Sequence, residues 1–68
     1  MASFWLLYTI FDVPDQGEMH SSESGALARA MRLQKSQHGF QFVCIRDEKK
    51  NIVVDPEQFN LLLKDHER

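Results

Sequence analysis

From Phe4 to Phe11 a single polar residue, Thr9, interrupts an apolar run. The run is rich in aromatic and β-branched side chains and too short for a convincing helix, so it predicts a strand over residues 3–11. Alternation places Phe4, Leu6, Tyr8 and Ile10 on one face and Trp5, Leu7, Thr9 and Phe11 on the other. A half-buried strand alternates apolar with polar residues; this one is apolar on both sides. The pattern predicts a central strand, or one whose second face meets another chain.

Polar positions dominate the next stretch. Asp12-Val-Pro-Asp-Gln-Gly17 reads as a turn, with Pro14 fixing φ and Gly17 freeing the exit, and the loop runs to about Met19. The period then becomes helical from Ser22 to Gln37. Ala26, Leu27, Ala30, Met31 and Leu33 form one face, and Arg29, Arg32, Lys35 and Ser36 the other. Ser21 or Ser22 serves as cap, Glu23 suits the first turn, and Gly39 closes the helix in a left-handed conformation. Residues 40–46 predict a second strand, with Phe40, Phe42 and Cys44 on one face and Val43 and Ile45 on the other. The polar loop 47–51 leads to a third strand, Ile52–Val54, antiparallel to the second. Asp55-Pro56-Glu57-Gln58 is a helix start, with Asp55 as cap, Pro56 in the first helical position and Gln58 placed for a capping box. That helix buries Phe59, Leu62, Leu63 and His66 and turns Leu61 outward.

The expected order is β-α-β-β-α, an α+β fold within a single domain spanning residues 1–68. A right-handed crossover makes the first two strands parallel, adjacent or with the third between them. The latter is a three-stranded mixed sheet with two helices on one face, a split βαβ like half of a ferredoxin-like fold. Its other face, carrying either the Trp5 or the Phe4 row, lies open, and an open aromatic row marks an interface.

Length sharpens that expectation. A chain of 68 residues buries only about 60% of the surface its unfolded form exposes. Cys44 is the single cysteine, so neither an intrachain disulfide nor a cysteine-built zinc site can supply the missing stability. A homodimer or a larger partner can. The apolar run is far shorter than the ~20 residues of a membrane helix, and no secretory signal is visible. The expectation is a cytoplasmic chain with reduced Cys44 and no membrane partner. Charge is segregated: residues 1–28 contain Asp12, Asp15, Glu18 and Glu23 and no Lys or Arg, whereas residues 29–50 contain six cations. The result is a dipolar surface able to steer a partner.

Candidate chemistry changes little. His20, His38 and His66 lack companions at ligand spacing, so neither a metal nor another cofactor is expected. Cys44, between large apolar residues, reads as inert filler. Asp12 and Asp15 follow the first strand, where carboxylates can hold a divalent cation. Tyr8-Thr-Ile-Phe-Asp-Val-Pro-Asp15 resembles the first strand and turn of the small CRISPR adaptation subunit, a ferredoxin-like family. The resemblance covers roughly the first 45 residues and implies a small metal-dependent nuclease with Asp12 at its centre. The arginines that such a family carries after the turn are missing, and the chain stops before the last strand of that fold. Arg29, Arg32 and Lys35 form the candidate contact for nucleic acid or an acidic partner. The negative net charge of −2 and the lack of an RNA-binding signature oppose the nucleic-acid reading.

The reading preferred from sequence is a non-catalytic protein-binding domain, a regulator or inhibitor of a larger protein or nucleoprotein complex. It is similar in style to the small inhibitors of phages and mobile elements. Trp5, Tyr8, Phe11 and Leu61 are its candidate partner-binding residues. A dimeric nucleic-acid-binding protein is the alternative.

Overall fold

The computed structural model describes residues 3–66. Six elements follow in the order β1 (Phe4–Ile10), β2 (Val13–His20), α1 (Glu23–Ser36), β3 (Phe40–Arg46), β4 (Ile52–Val54) and α2 (Pro56–His66). The α+β class is as expected, but the sheet has four strands, ordered β2-β1-β3-β4, and every neighbouring pair is antiparallel.

The expected three-stranded mixed sheet is therefore corrected, and the reason lies at Phe11 and Asp12. Both have positive φ, 49° and 63°, and they form a two-residue turn of the hairpin kind. The stretch after them returns along β1, pairing Phe4 with His20, Trp5 with Met19 and Leu6 with Glu18. Residues expected to be a loop are a strand. Because the chain has already reversed, α1 delivers β3 antiparallel to β1, not parallel to it. A split βαβ unit does exist, with different members: β2 and β3 run in the same direction on either side of β1 and are joined through α1.

The two helices begin and end as their sequences dictate. Ser22 caps α1, its Oγ accepting from the Gly25 N–H at 3.0 Å. Asp55 caps α2, its Oδ1 accepting from the Gln58 N–H at 2.7 Å. Gly39, φ 80°, turns the chain out of α1, and its carbonyl accepts from the Phe11 N–H at 3.0 Å. A Cβ at Gly39 would lie 2.5–2.7 Å from the Phe11 ring, so glycine is required there by both φ and space. In the β3–β4 loop Asp47 Oδ1 accepts from the N–H groups of Lys49 and Asn51, each at 2.9 Å. These bonds, that of Asn51 first, hold its carboxyl below the usual range.

One irregularity decides what faces the core. Leu7 pairs with Cys44 but Tyr8 pairs with Phe42, so Val43 is an extra residue bulged out of β3. Strict alternation separates Phe40 and Phe42 from Ile45; the bulge turns all three toward the helices and sends Cys44 to the opposite face. The core joins Leu6, Phe40, Ile45 and Val54 of the sheet to Ala26, Ala30 and Leu33 of α1 and Phe59 of α2. Both helices thus cover the same face. Leu62 and Leu63 are half-buried as α2 runs on; the side chain of His66, expected beside them, is outside the described residues.

Candidate functional site

The sheet face away from the helices carries Trp5, Leu7 and Thr9 of β1, Gly17 and Met19 of β2, Gln41, Cys44 and Arg46 of β3, and Ile52 of β4. Trp5 stands between Met19 and Arg46 on its neighbouring strands. The missing side chain at Gly17 makes room for Leu7, whose Cδ2 would lie 3.2 Å from a Cβ there. Trp5 is 44% exposed, Met19 61% and Ile52 55%, while Cys44 is buried among them. No element among the described residues covers this face. Arg46 is the one charged side chain described on it.

The two sheet edges are less inviting. β2 pairs only with β1 and carries Pro14, which has no N–H to offer an added strand. β4, the other edge, is three residues long. The short β4 edge and the proline at the hairpin end of β2 limit strand addition, whereas the face is open over the whole sheet.

The sequence-derived candidates do not share one surface. Trp5 lies on the open face. Tyr8 lies on the helix face, its ring 5.3 Å from that of Phe40. Phe11 sits at the hairpin turn against Gly39. Leu61 is exposed on the outer side of α2. Arg29, expected in a solvated stripe with Arg32 and Lys35, instead turns toward β2, while Arg32 and Lys35 stay exposed. Asp12 is in the turn itself, and the side chain of Asp15 is outside the described residues.

Arg29 meets a cluster invisible in the sequence. Glu18 Oε2 accepts from the Tyr8 hydroxyl at 3.1 Å, and Glu18 Oε1 lies 3.2 Å from both Arg29 Nε and His20 Nε2. Partial burial pushes the Glu18 carboxyl up, but the bonds from Arg29, His20 and Tyr8 together outweigh it and hold the group below its ordinary range. Burial, then the Glu18 carboxylate, push the Tyr8 hydroxyl up. With both oxygens engaged, Glu18 is a clamp fastening the edge strand β2 to α1, not a free base. Its lowered carboxyl contributes stability above the ordinary carboxylate range, and that contribution is lost as pH falls through the lowered value. Glu18→Gln is therefore expected to destabilise the fold at neutral pH and to flatten its acid limb. Urea midpoints at a series of pH values measure this; parallel acid limbs for both proteins would contradict the clamp.

No group of three or more His, Cys, Asp or Glu comes together as a metal site among the described residues. No described helix is long and apolar enough to cross a membrane. No known protein family, curated protein or solved structure matches the chain. The antiparallel β1–β2 hairpin also departs from the βαβ start that the resemblance to the CRISPR adaptation subunit implies.

Proposed function

We propose that the chain is a small non-catalytic protein-binding domain, a cytoplasmic regulator or inhibitor of a larger protein or nucleoprotein complex, and that it docks through the open sheet face. The observation that carries this reading is the uncovered apolar group Met19, Trp5 and Leu7, with Ile52 beyond Arg46, on a sheet whose other face packs against both helices. Contiguous apolar surface of this kind, centred on an aromatic anchor, is where binding energy concentrates. The nucleic-acid alternative loses support, because Glu18 neutralises Arg29 and leaves Arg32 and Lys35 alone on the helix.

Affinity capture from the native host, comparing the intact chain with Trp5→Ala by quantitative mass spectrometry, tests the proposal. A partner held by the intact chain and lost by the variant is expected. Equal recovery on both, or no partner on either, contradicts it.

A further inference from the structure

Three features could extend this account: the Glu18 cluster, the cleft between the start of α1 and the β3–β4 loop, and the open face. The cluster is internally satisfied. The cleft, lined by Glu23, Asp47, Glu48 and Lys49 over Phe4 and Val53, mixes charges, and its Asp47 is committed to the turn. The open face is neither satisfied nor covered by the described residues of its own chain.

We propose that the face pairs with a second copy of this chain, sheet against sheet about a twofold axis. The inference rests on the reading of the face as a docking surface: the second copy covers it until a larger partner displaces that copy. The chain exposes 4943 Å², whereas a compact monomer of 8.0 kDa exposes about 4,450 Å² by the usual scaling, an excess of roughly 500 Å². The strands give a similar figure independently. Strands of seven, eight, seven and three residues, at about 4.8 Å spacing and 3.3 Å per residue, outline a face of roughly 400 Å² in projection. Two such faces bury about 800–1,000 Å² in total, at or just below the lower bound for a specific interface. A dimer at that bound dissociates on dilution.

The chemistry of the face is compatible with its own copy. Its centre, Leu7 with Gly17 and Cys44, is apolar; Arg46 stands in the end row between Trp5 and Ile52 with its Nε buried and unpartnered, so pairing must keep the rest of the guanidinium at the rim. Two antiparallel sheets stacked in this way interdigitate side chains at about 10 Å separation, giving Trp5, Leu7, Met19 and Ile52 the cover that each lacks in one chain. Face pairing about a twofold axis is a closed symmetric solution for such a sheet.

The test is light scattering and sedimentation of the full chain from micromolar to near-millimolar concentration. The average mass should climb from 8.0 kDa toward twice that value. Met19→Lys and Ile52→Lys replace exposed side chains, so they should remain folded by circular dichroism and monomeric throughout. Leu61→Lys, on the 62% exposed outer side of α2, should associate like the unaltered chain. A mass fixed at 8.0 kDa, or a dimer indifferent to both face variants, overturns the proposal. If the chain stays monomeric while Trp5→Ala still loses a captured partner, self-pairing alone falls. If capture is also indifferent to Trp5, the docking face falls with it.

Discussion

Phe59→Ala is expected to leave the chain largely unfolded at ordinary temperature. Phe59 is completely buried and stacks on Phe42, with ring centroids 4.2 Å apart and planes within 11°. It is the one fully buried side chain described on α2, and it touches the same cluster as Ile45 and Val54. Truncating a buried phenylalanine costs about 3–5 kcal/mol, from lost transfer energy and the cavity left behind. A single-core domain of this size has only about 3–5 kcal/mol to lose. Circular dichroism and urea titration, at one protein concentration for both chains because association would shift the midpoint, measure the difference. A cooperative transition weakened by less than about 1 kcal/mol would mean that α2 is not part of the core.

Trp5→Ala should have the largest effect on binding while leaving a folded chain. Half-exposed aromatic anchors commonly contribute about 2 kcal/mol or more to an interface, a loss of roughly thirtyfold in affinity. Tyr8→Phe is the informative companion. Tyr8 lies three residues further along the same strand but points to the helices, where its hydroxyl serves Glu18. Its replacement should cost about 1 kcal/mol of stability through the lost hydrogen bond and leave capture of a partner unchanged. Equal loss of capture in both variants would show that the effect comes from a weakened fold, not from the open face.

The helices and the β3–β4 hairpin were legible in the sequence because local chemistry specifies them. Ser22 and Asp55 cap, Gly39 takes a positive φ, and Asp47 organises its own turn. β2 was not legible. Pro14, Asp15 and Gly17 are poor strand formers, tolerated because β2 is an edge whose pairing comes entirely from β1. Its signal was the two-residue Phe11–Asp12 turn, hidden because phenylalanine rarely adopts positive φ. The bulge at Val43 was equally silent, since it depends on register across strands and not on the local pattern.

The candidate site was legible in part. The Trp5 row was visibly apolar, but nothing in the sequence distinguished it from the Phe4 row as the open one. Leu6 and Phe4 went to the helices because the bulge turns Ile45 to the same side beside Leu6, and Val54 pairs with Ile45 to complete the core there. Met19 and Ile52 joined Trp5 only through strand pairing, from opposite ends of the chain. Tyr8 and Trp5 fall on opposite faces by alternation, so the two could not serve one surface, and it is Tyr8 that lies under the helices.

Trp5 is the sole tryptophan, so its fluorescence reports on the face directly. In dilute solution the emission should be that of a solvent-exposed indole, open to collisional quenching. It should shift to the blue and resist the quencher as concentration rises or a partner is added, and Met19→Lys should abolish the concentration-dependent change. An indole shielded at every dilution and unmoved by partner or by Met19→Lys would contradict the claim that this face is left bare by its own chain.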